Sequence, residues 1–265
     1  MEKWVIAAKR ADFQKIAQTF HIDPVTARLI RNRDVVGMEE MEKYLHGDLS
    51  LLPSPWRMKD MEKAVDILEE KIRQSRKIRV IGDYDIDGVM ASYILLRGLR
   101  CLGAAADVMI PHRITDGYGI NESLIEKAAK DQVDTIVTCD NGIAAAGQIG
   151  RAKELGMTVI VTDHHEVPYR EEGGERLEFL PPADAVINPK QRSCGYPFKL
   201  LCGAAVAACL ICALYDRFSV DPAEKEALLE YEAIATIGDV MDLVGDNRIL
   251  VKEGLKRLHH TENYG

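Results

Sequence analysis

The chain has 265 residues, a formal net charge of −8, 47% hydrophobic residues and 29% charged residues. A chain of this size buries a substantial core as one large domain or two small ones; it has no apolar run of the roughly 18 residues that span a bilayer, and its start lacks a secretion signal. The acidic balance speaks against a surface coated in basic residues for nucleic acid, but not against an acidic site neutralised by bound cations.

Residues 1–76 read as a helical lead-in. Asp23-Pro24 opens one helix with proline in its first turn. Leu51-Leu52-Pro53-Ser54-Pro55 reads as a linker. Met61, Ala64, Val65, Ile67, Leu68 and Ile72 recur at helical spacing over 58–72. Basic residues cluster at Lys71, Arg73, Arg76, Lys77 and Arg79, and again at Lys190, Arg192 and Lys199. Either cluster fits a solvated face or a contact with a polyanion.

From Lys77 onward, strand and helix patterns alternate. Strands are expected over 78–82, 106–110, 135–139, 158–162 and 185–187, with helices over 89–102, 122–130 (capped by Asn121) and 144–155. Near-continuous β-branched runs separated by helices predict an α/β domain over 77–265, built on a five-stranded parallel sheet flanked by helices. Residues 166–184, rich in Glu, Gly and Pro, read as a long polar loop. After Leu200 the pattern is helical, with breaks near Asp221-Pro222 and over 238–247. The six cysteines lie scattered in apolar segments, and Cys209-Leu210-Ile211-Cys212 has no second pair to complete a zinc site, so a reducing cytoplasm is expected.

Three of the strand-like runs end in metal-ligand residue types: Asp83-Tyr84-Asp85-Ile86-Asp87-Gly88, then Asp140, then Asp163-His164-His165. Ligands of parallel sheets sit beyond the carboxyl ends of the strands, where these residues fall. A calcium-binding helix-loop-helix is excluded because Ile94 stands at the twelfth position, where that loop needs a bidentate glutamate. An aspartate-nucleophile phosphatase leaves the histidine pair idle, and a dinucleotide fold needs glycines where these aspartates stand. A two-metal site uses every group: carboxylate oxygens suit hard cations, and an imidazole shifts the preference toward manganese. Asp140 can bridge, with Asp85 and Asp87 directed to different cations. Taken singly, any of these aspartates also fits a helix cap; Asp87, just before the helix expected from Val89, fits capping and ligation together.

Gly82–Gly88, Cys139-Asp140-Asn141-Gly142 and Asp163-His164-His165 together resemble the DHH phosphoesterase superfamily. Within it the chain is similar to the RecJ-type single-strand-specific exonucleases. That likeness is carried also by Ile110-Pro111-His112-Arg113, Gly117-Tyr118-Gly119, Asn188-Pro189-Lys190, Tyr196-Pro197-Phe198 with Leu201-Cys202-Gly203-Ala204, and Ile237-Gly238-Asp239-Val240-Met241. The resemblance implies Asp85, Asp87, Asp140, His164 and Asp239 as ligands of Mn2+ or Mg2+, two cations per site. It also implies a catalytic set of Asp140, Asp163 and His165, with His165 facing the scissile phosphate. The superfamily often has a histidine four positions before the first aspartate; here Ile81 stands there and Asp83 is the substitute ligand. His112, Arg113, Gly117, Tyr118, Gly119, Asn188 and Lys190 are the implied strand contacts.

The implied activity is hydrolysis of terminal phosphodiesters in single-stranded DNA, 5′ to 3′, in repair and recombination. Single-strand-binding protein and a helicase are possible partners, and no membrane is involved. The chain corresponds on this reading to a catalytic portion ahead of a DHHA1-like closing domain and an oligonucleotide-binding fold. A phosphodiesterase for short oligonucleotides or cyclic dinucleotides, and a non-catalytic repair scaffold, are the alternatives.

Overall fold

The structure is a computed structural model that describes residues 9–114, 117 and 119–263. The chain divides between Leu51 and Leu52 into two compact units, inside the stretch read as a linker. The first unit holds α1 (Phe13–Phe20), α2 (Pro24–Asn32) and α3 (Met38–His46). Asp12 caps α1 by accepting from Lys15 N at 2.9 Å, and Asp23 caps α2 by accepting from Val25 N at 2.7 Å. Ile16, Ala27, Ile30, Val35 and Met41 form this unit's own core.

The second unit carries α4 (Met61–Arg73), β1 (Lys77–Ile81), α5 (Ile86–Cys101), β2 (Ala105–Met109), α6 (Glu122–Lys130), β3 (Thr135–Cys139), α7 (Ala146–Glu154) and β4 (Thr158–Thr162). It continues through β5 (Tyr169–Glu172), β6 (Glu175–Glu178), β7 (Ala185–Ile187), α8 (Gly203–Arg217), α9 (Pro222–Glu226), α10 (Leu229–Gly238) and α11 (Gly245–Leu258). The expected five-stranded parallel sheet is present, in the order β2-β1-β3-β4-β7. α4, whose periodicity grouped it with the lead-in, packs on α8 and β7. No described helix is long and apolar enough to cross a membrane.

Right-handed crossovers put α5 on one face of the sheet; because the strand order then reverses, α6 and α7 lie on the other. Leu124, Ile125, Ala128, Ile149 and Ala152 of α6 and α7 pack there on Ile81, Ile136, Val159 and Val161 of the strands. α8 lies against α5, and its small side chains let the two helices approach closely. At Gly98 a Cβ would stand 2.5 Å from Ile211 Cγ2.

Two expectations change. Residues 166–184 are not one loop, because β5 and β6 pair as an antiparallel hairpin. Its turn is Gly173-Gly174 at φ of 61° and 83°, a backbone that glycine adopts without a Cβ clash. The first basic cluster is neutralised internally: Arg79, only 5% exposed, bonds Asp107 at 2.7 Å and Asp131 at 2.8 Å, and Lys71 pairs with Asp134 at 2.6 Å.

Filling the α5–α8 contact tests how the sheet's helical cover is held. Gly98→Leu is expected to destabilise the chain by about 1–3 kcal/mol in urea unfolding, with part of the loss recovered by adding Ile211→Ala. An unchanged unfolding midpoint for Gly98→Leu contradicts the close approach.

Candidate metal centre

β1 and β3 are neighbours whose following connections leave in opposite directions, the arrangement that opens a crevice at the carboxyl ends of a parallel sheet. Pairing of Ile81 with Thr138 and of Cys139 with Thr162 brings the ends of β1, β3 and β4 level. The residues that follow these three strands therefore share one rim.

The chain after β1 folds around its own aspartates. Asp85 caps α5, accepting from Gly88 N at 2.9 Å. The helix starts at Ile86, earlier than the expected Val89, so Asp87 lies in its first turn and does not cap it. Instead the Asp87 carboxylate reaches the amino end of α8, accepting from Gly203 N at 2.6 Å and Ala204 N at 2.7 Å. Those amides and the helix dipole hold negative charge at that point. The approach demands glycine: a Cβ on Gly203 would lie 2.7 Å from Asp140 Cβ, and one on Gly88 would lie 2.6 Å from Asp83 O.

Asp140 sits in the left-handed region at φ 57°. Asn141 pins the turn, donating from Nδ2 to the carbonyls of Cys139 at 3.0 Å and Ile81 at 3.3 Å, while its own carbonyl accepts from Thr138 Oγ1 at 2.9 Å. Both Asp140 carboxylate oxygens are buried and accept no hydrogen bond among the described residues. Burial, with Asp87 and Asp85 near by, pushes this carboxyl up to about 10.

His164 faces Asp140 with its Nε2 3.1 Å from Oδ1, and stands 3.6 Å from Asp87 Oδ2 and 3.9 Å from Asp239 Oδ2. Its Nδ1 lies 3.1 Å from Leu201 O, which places the ring proton on Nδ1 and the lone pair on Nε2. Burial lowers the pKa of His164 against the pull of Asp87, so the ring is neutral. A neutral lone pair then points at carboxylate oxygens, an arrangement that repels unless a cation, or in the metal-free protein the proton retained by Asp140, stands between them.

Asp163 differs from the other aspartates because its oxygens are fully used. Oδ1 accepts from His164 N at 2.7 Å, His165 N at 3.1 Å and His165 Nδ1 at 2.8 Å, and Oδ2 accepts from Ile143 N at 2.9 Å. Burial alone would raise its carboxyl, but the His165 bond and the backbone amides outweigh that and hold it low. The same bond lifts His165 to about 9. His165 is the outermost of the pair, its side chain 43% exposed.

Ligand atoms of Asp83, Asp85 and Asp140 lie within 4.8 Å of one another; so do those of Asp87, His164 and Asp239, and those of Asp140, His164 and His165. Asp85 and Asp87 fall in different groups, and Asp140 touches two of the three. Hard carboxylate oxygens with one imidazole fit Mn2+ or Mg2+ chemistry, and the partnerless oxygens of Asp140 are what such an ion would satisfy. Ile81 is wholly buried in the strand, and Asp83 joins the group that Ile81 cannot.

The expected strand contacts separate. Arg113 is exposed and lies over the Tyr84 ring at 5.3 Å, which brings it beside the aspartates. His112 Nδ1 accepts from Ile114 N at 3.4 Å. Gly117 and Gly119 both take positive φ, and Tyr118 lies outside the described residues. Asn188 does not face outward: it is fully buried, donating to His165 O at 2.9 Å and accepting from Lys190 N at 2.8 Å. Lys190 reaches Glu166 at 3.3 Å. Sequence reasoning assigned no role to Tyr84, Asn141, the Leu201 carbonyl or the Gly203 amide. Tyr84 was visible as an aromatic inside the aspartate motif; backbone groups leave no residue-type signal.

The raised Asp140 carboxyl has a consequence for the metal-free protein. A group whose folded pKa exceeds its unfolded value, about 4 for Asp, contributes stability that is complete below that value and is lost as pH rises toward about 10. In chelator, urea midpoints are expected to fall between pH 5 and 9, and Asp140→Asn to flatten the fall. An identical slope in the variant contradicts the burial of this charge.

A family model described as DHH family, N-terminal domain, matches residues 77–236. The single-stranded-DNA-specific exonuclease RecJ of Bacillus subtilis is 37% identical over 264 residues, covering 99% of this chain and 32% of its own length. A crystal structure of exonuclease RecJ bound to manganese aligns with a TM-score of 0.68 at 37% identity, over 80% of this chain and 50% of that one. RecJ of Thermus thermophilus in complex with Mn2+ aligns at 0.73 and 31% identity, over 94% of this chain and 34% of that one. The chain thus spans about a third of the curated relative's length. With the matched segment running through all three rim motifs, the chain belongs to the DHH family.

Proposed function

We propose that this chain is the hydrolytic part of a Mn2+- or Mg2+-dependent exonuclease acting on single-stranded DNA. The observation that carries the reading is Asp140, buried and accepting no hydrogen bond among the described residues, which groups with Asp83 and Asp85 and lies 3.1 Å from His164 of the Asp87, His164 and Asp239 group at the same sheet rim. Asp83 or Asp85 with Asp140 would hold one cation; Asp87, His164 and Asp239, with Asp140, would hold the other. Bound there, the cations supply Lewis acidity that activates water and offsets charge on a phosphodiester.

The chain's own residues do the rest. The amides of Gly203 and Ala204 fix Asp87, and Leu201 O fixes the His164 tautomer, so the ligands are oriented in advance. Asp163 keeps His165 protonated near neutral pH, and a cationic ring at the exposed edge of the site can stabilise the phosphorane charge or protonate the departing oxygen. Arg113 over Tyr84 offers a guanidinium for a phosphate and a stacked surface for a base. Digestion from 5′ to 3′, single-strand-binding protein and helicase partners, a cytoplasmic setting, and a role in repair and recombination belong to the same proposal and rest on the family resemblance. The named activity of the relatives supports the substrate class.

Labelled single- and double-stranded DNA, digested with added Mn2+, tests the reading. Cleavage of the single strand only is expected, with His164→Ala abolishing it. Equal cleavage by the variant, or cleavage of both substrates alike, sinks it. Asp163→Asn is expected to lower turnover roughly 10–100-fold while Mn2+ affinity stays within a few-fold, and to drop the His165 pKa seen by NMR. Retained turnover in Asp163→Asn would remove His165 from the mechanism.

A further inference from the structure

We propose that Asn247 is a positioning residue for one cation of the pair, the one grouped with Asp87, His164 and Asp239; this rests on the two-cation reading above. Asn247 is the third residue of α11 and is fully buried. Its Nδ2 donates to two carbonyls, Leu200 O at 2.7 Å and Asp242 O at 3.1 Å. One side chain thus ties the stretch ahead of α8 to the turn between α10 and α11.

Both tied segments support the same group. The first runs from Leu200 to Leu201 O, 3.1 Å from His164 Nδ1, and on to the Gly203 and Ala204 amides, which hold Asp87 at 2.6 and 2.7 Å. The second starts at Asp239, directly after α10, and turns at Asp242, whose carbonyl also accepts from Val244 N at 2.9 Å. All three members of the group therefore depend on backbone that Asn247 bridges. The hydrogen bonds that shape the other group come from elsewhere. Asp83 accepts from Tyr84 N at 2.7 Å, Asp85 accepts from Gly88 N at 2.9 Å, and Asn141 pins the turn at Asp140.

The start of α11 grips the first segment at two further points. Gly245, at φ 50°, lies against Phe198, where a Cβ would stand 2.7 Å from Cε2, and Tyr196 Oη donates to Asp246 Oδ2 at 3.5 Å. The Asn247 amide adds the link from that segment to the Asp239 turn. Its orientation is set by chemistry, since turned over it would face two carbonyls with its own oxygen. A side chain that merely filled this buried space would be apolar; the two donated bonds are what an amide contributes there.

Asn247→Leu, which keeps the bulk and removes both donors, tests this in two ways. In metal-free, 15N-labelled chain it is expected to move the amides of Gly203 and Ala204, bonded to Asp87, and to leave that of Gly88, bonded to Asp85, in place. Mn2+ titrated into the chain, with the free ion counted by electron paramagnetic resonance, is expected to show one cation weakened roughly 10–100-fold and the other held within a few-fold. A purely structural role would lower both affinities together or leave both unchanged, and either result overturns the proposal. Unmoved Gly203 and Ala204 amides overturn it as well. Should the leucine variant not fold, Asn247→Ser, with one donor in place of two, is expected to show the same selective pattern, and an even loss at both sites overturns the proposal there too. Wild-type chain that takes up no Mn2+ sinks the two-cation reading, and the amide shifts still decide the role of Asn247.

Discussion

A carboxylate buried without a hydrogen-bond donor is a costly thing to build, and Asp140 is the constraint around which the second unit is arranged. Its neighbours relieve it only in part, through the His165 ring 3.9 Å from Oδ1. His164 turns a lone pair toward it, Asp87 and Asp85 add like charge, and the protons on nearby amides are spent on Asp87 and Asp163. Such a cluster persists in a folded chain when something outside the protein repays it, and a pair of divalent cations does so with the donor types present.

The fold delivers this cluster by ordinary means. Parallel strands brought into register end at one level, the reversal between β1 and β3 opens the crevice, and α8 starts where its amides can receive Asp87. Two glycines, Gly88 and Gly203, supply the clearance that lets the loops close on the aspartates. The two histidines next to each other in sequence then divide the work. His164 points inward and is kept neutral by burial, while His165 points outward and is kept cationic by Asp163. One dipeptide thus offers an inner lone pair and an outer charge.

Much of this was legible in the residues. β3, β4 and β7 and helix α6 fall where periodicity and the Asn121 cap put them, because buried β-branched runs and a side-chain cap are local signals. α5 begins earlier than read because Asp87 and Gly88 look like turn residues, whereas Asp85 caps the helix and the distant α8 amides receive Asp87. The β5–β6 hairpin was hidden by its glutamates; only Gly173-Gly174 betrayed it. The burial of Asn188, an implied strand contact, was not legible because its side chain is spent on the His165 carbonyl, a tertiary partner that no spacing reveals. The basic run near Arg79 likewise reads as surface until Asp107 and Asp131 close on it from other elements.

The central claim is that cations, shared through Asp140, complete this rim. Anomalous diffraction at the manganese edge from crystals grown with Mn2+ addresses it most directly. Two peaks at the rim, one among Asp83, Asp85 and Asp140 and one among Asp87, His164 and Asp239, are the expected result. A well-ordered rim with no peak beside Asp140 would contradict the account.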